Sequence, residues 1–236
     1  QLLRIRKEHA EALARAVTSE RFRVDLIANV SHDLRTPLTA ILGYSELLGT
    51  QPLTPTGREQ LDRLSQKAGY MQELVDSLFE LTKVSSGVTE PKWENIDLVR
   101  LLEQTIGFYD DALKKAGLVV KRAYLEDHVP IISDGGRLHQ IFANLLGNAI
   151  KYALPGTRIY LTLVKVPEGW RVRLLNTASY EMDFDPEEIV QRFARGDKAR
   201  STKGSGLGLA IAQTYTESLG GQFPVEVDGD QFCAFV

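Results

Sequence analysis

The sequence predicts two folds in tandem: a helical hairpin that pairs with a second copy into a four-helix bundle, then an α/β sandwich with a mixed sheet. Three observations carry that expectation. Up to about Ser86 the apolar residues recur every three or four positions, the period of helices with one buried face. Beyond "SSGVTEP" (85–91) helical stretches give way to short runs in which apolar and polar residues alternate, the period of strands. The hairpin carries more apolar surface than two helices bury between themselves.

Composition bounds the rest. With 236 residues, 43% hydrophobic and 25% charged, the chain is long enough for two globular domains. A net charge of −3 gives no electrostatic reason to bind nucleic acid. The one cysteine, Cys233, excludes an internal disulfide and any multi-cysteine metal site; it reads as a buried thiol in a reducing compartment. No apolar run approaches the ~20 residues of a membrane span, and no signal peptide is visible.

In chain order, residues 1–20 are helical from the first position without a cap, and read as a helix entering the bundle from a longer protein. At ~100° per residue, Phe22, Leu26, Val30, Leu34, Ile41, Tyr44 and Leu48 share one face of the first long helix. "QPLTPTG" (51–57) reads as a loop. Leu61, Leu64, Ala68, Met71, Val75, Leu78 and Thr82 then alternate steps of three and four, a heptad seam. The hairpin domain spans 21–86 and a linker 87–94. In the second domain, 95–236, helices are expected at 97–117, 137–153, 186–193 and 207–219. Strands are expected at 118–125, at 158–166 and 171–176 about "PEG", and at 222–227 and 231–236 about "DGD".

Four residue groups carry chemistry. His32 falls about 180° from the apolar stripe of its helix, so it faces solvent, though a surface histidine without a role fits the same wheel. Asp33 can take a proton from the imidazole, leaving the other ring nitrogen free to attack. Thr36 lies one turn on, and Pro37 removes the hydrogen bond to the Asp33 carbonyl and loosens that turn. In "HQIFANLLGNAIKYA" (139–153), Gln140, Asn144, Asn148 and Lys151 share one face. A solvated face is one reading; asparagine is a poor helix former, however, and an i, i+4 pair suits oxygen ligation of a hard cation such as Mg²⁺. In "KGSGLGLA" (203–210), glycines at 204, 206 and 208 lead into a helix whose N-terminus suits an anion, although a flexible loop reads the same way. The cationic run before it, Arg192, Arg195, Lys198, Arg200 and Lys203, reads as a solvated run or as a mobile lid.

In this order the motifs resemble those of the sensor histidine kinases of bacterial two-component systems, over roughly residues 20–236. "FRVDLIANVSHDLRTPLTAILGYSELL" is similar to their H box, "HQIFANLLGNAIKYA" to their N box, "RFARGD" to their F box and "KGSGLGLAIA" to their second glycine box. The resemblance implies a dimeric bundle with a phosphoacceptor histidine, and an ATP-binding sandwich of the Hsp90 type. It implies His32 as phosphoacceptor, Asp33 as base and Thr36 as the residue orienting water during phosphatase action. Asn148 would bind Mg²⁺ with Asn144 in support. Lys151, Tyr152, Phe193, Arg195, Lys203, Gly204, Gly206, Leu207 and Gly208 would line ATP. The implied partners are a second copy of the chain and the receiver domain of a response regulator. Membrane attachment would come only through an N-terminal sensor region outside this cytoplasmic portion.

One motif departs. The first glycine box usually reads D-x-G-x-G, its aspartate accepting from the adenine amino group. Here "LLNTASYEMDFDPEEI" (174–189) has Asn176 at that place and no glycine. An asparagine accepts through its amide oxygen without charge. That departure keeps an alternative open, a degraded kinase acting as phosphatase or scaffold. A lone ATPase of the Hsp90 or mismatch-repair type would lack the H box, and a plain coiled coil would need neither asparagines nor glycine loop.

Overall fold

The computed structural model describes residues 27, 30–31, 33–85, 90–183, 189 and 206–236. His32, Phe193, Arg195, Lys203, Gly204, the basic run and nearly all of the helix expected at 186–193 lie outside these residues. Two units meet at the Thr89/Glu90 boundary.

The first unit is the hairpin. Helix α1 is described at 30–31 and without interruption over 33–49, so Pro37 does not break it. Helix α2 (Pro55–Ser85) starts inside the stretch that reads as loop. Proline is tolerated in a first turn, and the Thr54 hydroxyl accepts from the Gly57 N–H at 3.1 Å as its cap. Arg58 closes the turn by donating to the Gly49 carbonyl at 2.7 Å. Further along, Arg35 donates to Asp76 through Nε at 2.8 Å and Nη2 at 2.5 Å, and its guanidinium stands 5.4 Å from the Phe79 ring centre.

On α1 the buried residues lie off the expected apolar stripe, whereas on α2 they belong to the expected seam. Ser31, Leu38 and Ser45 on α1 and Ala68, Val75 and Thr82 on α2 are buried, each set at heptad spacing. Val30, Leu34, Ile41, Tyr44 and Leu48 remain between 42% and 68% exposed, and Leu64 and Met71 about half exposed. Two helices meet along one line, so the second seam is left facing outward.

The second unit opens with β1 (Glu94–Asp97), α3 (Leu98–Phe108), α4 (Asp110–Lys115), β2 (Val119–Tyr124) and β3 (Pro130–Ser133). It continues through α5 (Gly135–Tyr152), β4 (Arg158–Val166), β5 (Gly169–Thr177), α6 (Gly208–Ser218), β6 (Val225–Asp228) and β7 (Gln231–Phe235). The main sheet runs β2-β4-β5-β7-β6, with β2 parallel to β4 and the other neighbours antiparallel. Burial alternates along β4 and β5, so one sheet face meets the helices. Ile159, Leu163 and Leu174 on that face, with Ile141, Leu145 and Leu146 of α5, are at most 2% exposed and form the core.

Two features of this unit differ from the sequence expectation. The helix expected over 97–117 is broken at Tyr109 (φ −95°, ψ 4°) into α3 and α4. Asp110 and Asp111 suit a fresh N-terminus, where the positive end of the helix favours acids. Strands β1 and β3 pair antiparallel as a separate two-stranded sheet that was not expected. At four residues each, they are too short for alternation to register.

Helix α5 is fixed at its start by Asp134, whose carboxylate accepts from the Arg137 N–H at 3.0 Å and the Lys92 N–H at 2.8 Å. Burial alone would raise this carboxyl; the donated N–H groups and the Arg137 charge outweigh it and hold the carboxyl below its ordinary value. Asp134→Ala should therefore lower unfolding free energy by about 1 kcal/mol near neutrality. Because the folded-state value is depressed, this contribution is present above the unfolded carboxylate range and is lost as pH falls through the folded value. Melts of parent and variant near neutrality and in acid check it; the two should converge in acid.

Candidate functional site

Three elements of the second unit converge. The apolar face of α5 (Leu138, Ile141, Phe142, Leu145, Leu146, Ala149) is buried, which leaves Gln140, Asn144, Asn148 and Lys151 half-buried on the other side. Helix α6 packs against α5, and both ends of that contact are specified by side chains. At one end, Arg137, 8% exposed, donates from Nη1 to the Ser218 hydroxyl at 2.7 Å, with its guanidinium 5.9 Å from the Tyr215 ring centre. At the other end is Gly208, the first residue of α6. A Cβ there would stand 3.4 Å from Asn144 Oδ1 and 3.6 and 3.7 Å from Asn148 Nδ2 and Oδ1.

The two described glycines of the motif serve different ends. Gly206 has φ +70°, a backbone that L side chains rarely adopt. Gly208 leaves the asparagines uncovered. Between them Leu207 is fully buried, and as the N-cap residue its own side chain makes no hydrogen bond to α6. Such an end favours an anion.

The third element is the end of β5. Leu154 donates its N–H to Thr177 O at 2.9 Å, Ser179 to Tyr152 O at 2.9 Å, and Ala153 bridges Ala178. The residues after Asn176 are thereby tied to the C-terminus of α5, one turn past Asn148. Asn176 is 4% exposed on the helix-facing side of the sheet, in register with Ile159 and Phe232. Lys151 lies over the Tyr152 ring at 4.7 Å. Burial, then the nearby Tyr152 phenol and Asp183 carboxylate, raises the Tyr180 hydroxyl and keeps it neutral.

Asn144, Asn148, Lys151, Tyr152, Asn176, Gly206, Leu207 and Gly208 thus fall in one region. Asp33 and Thr36 are exposed on α1 in the other unit. Two residues escape a reading by motif: Arg137, the clamp between α5 and α6, and Tyr180. Arg137 carries a usable signal, a cation on the otherwise apolar face of α5. Tyr180 carries none, because its neighbour Tyr152 is distant in sequence.

Residues 22–87 match the His Kinase A (phospho-acceptor) domain, and residues 133–235 match the histidine kinase-, DNA gyrase B- and HSP90-like ATPase domain. The chain is 30% identical over 208 residues to the signal transduction histidine-protein kinase BaeS of Escherichia coli, covering 86% of this chain and 44% of that protein. It is 30% identical over 205 residues to the sensor histidine kinase YcbM of Bacillus subtilis, covering 85% of this chain and 66% of that one. With the cell-division control histidine kinase PdhS of Brucella canis it shares 25% identity across 98% of itself and 24% of the relative. The chain therefore spans less than half of BaeS and about a quarter of PdhS. Among solved structures, full-length ShkA in complex with AMPPNP superposes with a TM-score of 0.72 at 26% identity, over 90% of this chain and 45% of that one. The Acinetobacter baumannii histidine kinase AdeS shares the fold, with a TM-score of 0.62 at 21% identity over 86% of this chain and 95% of that one.

A methyl group at position 208 would touch both asparagines at ordinary contact distance without displacing them. Gly208→Ala should therefore melt within a few degrees of the parent while binding a fluorescent ATP analogue roughly tenfold or more weakly, since a lost phosphate approach is worth at least ~1.4 kcal/mol. Thermal melts and fluorescence titration check the two halves.

Proposed function

The chain belongs to the sensor histidine kinases of two-component systems, and from that premise we propose that it is an ATP-dependent autokinase that phosphorylates its own His32. The observation that supports this most is the junction of Asn144, Asn148 and the N-terminus of α6 at Gly208. It offers amide oxygens beside N–H groups, the two kinds of ligand that a metal-bound triphosphate needs.

The donor set suits Mg²⁺: two amide oxygens, Asn144 Oδ1 and Asn148 Oδ1, border the space over Gly208. Asn148, supported by Asn144, would hold the ion through side-chain oxygen, the donor type it prefers. When bound, it offsets charge on the phosphates. Lys151 and Tyr152 would line the nucleotide, and the glycine turn at Gly206 and Gly208 would lie against its phosphates. Phe193, Arg195, Lys203 and Gly204 complete this reading from motif position alone.

In the reaction, a ring nitrogen of His32 forms a bond to the γ-phosphorus as the bond from that phosphorus to the β,γ-bridging oxygen breaks. ADP leaves with the electron pair, and the ring proton passes to the Asp33 carboxylate. The phosphoryl group then moves from His32 to an aspartate on the receiver domain of a response regulator. Thr36, exposed one turn beyond His32, orients water in the reverse role, hydrolysis of that aspartyl phosphate.

The functional form is a homodimer. The stripe of Val30, Leu34, Ile41, Tyr44 and Leu48, with Leu64 and Met71 on α2, is the surface that a second hairpin covers. A chain that sediments as a monomer would contradict this. Membrane attachment belongs outside this chain; among the described residues no helix is long and apolar enough to cross a membrane. The second reading, a phosphatase or scaffold, rests on the missing glycines of residues 174–189 and on Asn176.

Incubation with γ-labelled ATP separates the two. We expect an acid-labile, base-stable label that His32→Gln abolishes while binding of a fluorescent ATP analogue persists. A label retained in His32→Gln would overturn the assignment; ATP binding with no label in the parent would favour the second reading. Thr36→Ala should keep labelling within a few-fold of the parent but prolong the phosphorylated regulator about 10–100-fold, the range for one lost polar contact in a transition state. If both activities fall together, Thr36 acts on the helix around Pro37 and not on water.

A further inference from the structure

We propose that the base site of this chain accepts 6-oxopurine triphosphates, those of inosine and guanine, alongside ATP, and that the Asn176 side-chain amide is the group that admits them. This rests on the nucleotide-binding reading above and goes beyond it in naming the class of base.

Asn176 sits on the buried face of β5, with Leu174 and Val172 preceding it on that face and Ile159 and Phe232 beside it in the ladder. Those neighbours are apolar. Asn176 is 4% exposed, but its polar atoms are not sealed off without a partner in the way that Asn144 Nδ2 is. Among the other buried polar side chains of this unit, Thr105 and Thr216 return their hydroxyls to the carbonyls of Leu101 and Ala212, and Arg137 is bonded to Ser218. An amide set among apolar side chains gains from a polar partner, so a ligand that supplies one gains specificity at that point. The backbone ties from Thr177 and Ser179 join the strand end that carries Asn176 to the C-terminal end of α5, the helix that carries the asparagine pair.

The chemistry of the amide decides which base is admitted. A carboxylate at this place would only accept hydrogen bonds. It would pair with the exocyclic amino group of adenine and repel the keto oxygen at the same position of hypoxanthine or guanine. An amide carries one acceptor and one donor group, interchanged by rotation of the terminal torsion. Asn176 Oδ1 can accept from an adenine amino group, and Nδ2 can donate to a purine keto oxygen. A mismatched buried polar pair weakens binding by roughly 10–100-fold; the amide removes that penalty. Inosine triphosphate is the cleaner probe, since guanine adds a second amino group on another edge.

The test is displacement of a fluorescent ATP analogue from the intact chain by ATP, inosine triphosphate and GTP in the presence of Mg²⁺. We expect inosine triphosphate to compete within about tenfold of ATP. Asn176→Asp should shift the ratio of the two at least ~10-fold towards ATP, because the donor is lost. Asn176→Ala, which needs no buried charge to fold, should bring ATP and inosine triphosphate to similar, weaker affinities. An inosine triphosphate affinity ~100-fold or more below that of ATP in the parent would overturn the proposal, as would an unchanged ratio in both variants. Failure of ATP itself to displace the probe would instead overturn the nucleotide-binding reading.

Discussion

The packing of α5 against α6 is the contact on which the candidate site depends. Arg137 sets one end of it through Ser218 and Tyr215, and Gly208 sets the other against Asn144 and Asn148. From Arg137 to Asn148 is eleven residues, and from Gly208 to Ser218 ten, so at ~1.5 Å per residue the two helices match in length between clamp and site. A side chain in place of the Gly208 hydrogen would fill the space over the asparagines. The site is thus a consequence of two helices meeting closely at a chosen point, and the sheet supplies its third wall by anchoring Thr177 and Ser179 to the end of α5.

The hairpin follows a different constraint. Two helices in contact bury one line of residues, and here that line is mostly small or polar: Ser31, Ser45, Ala68 and Thr82, with Leu38 and Val75. Such a line brings the helices close but supplies little apolar burial. The larger side chains, among them Leu34, Ile41, Tyr44, Leu48 and Met71, face outward. Arg35, bonded to Asp76 and stacked near Phe79, joins the two helices.

Much of this was legible in the sequence because it rests on period and residue type. The polar and apolar faces of α5, the alternation of β4 and β5, and the start of α6 after glycine follow from such patterns. The break at Tyr109 was not legible, because the apolar spacing runs through it and only the pair Asp110–Asp111 marks a new N-terminus. Strands β1 and β3 were hidden for a topological reason: each becomes a strand only by pairing with a partner far along the chain. In the site, Asn148, Lys151 and Gly208 carry visible signals of type and spacing. The burial of Asn176 beside Ile159 and Phe232 depends on sheet register, which no local pattern encodes. The apolar stripe of α1 was legible as a stripe, but its division into buried and outward lines required the second helix.

The central claim is that one junction, formed by α5, the end of β5 and the start of α6, holds the nucleotide. Hydrogen exchange of the intact chain with and without Mg²⁺ and a non-hydrolysable ATP analogue tests it most directly. The account predicts ligand-dependent protection confined to residues 144–154, 177–182 and 206–212 among the described segments. It also predicts no change along the groove lined by Glu94, Asp97, Arg100 and His139, a separate concave surface of this unit. Protection centred on that groove, with 144–154 and 206–212 unchanged at saturating ligand, would contradict it.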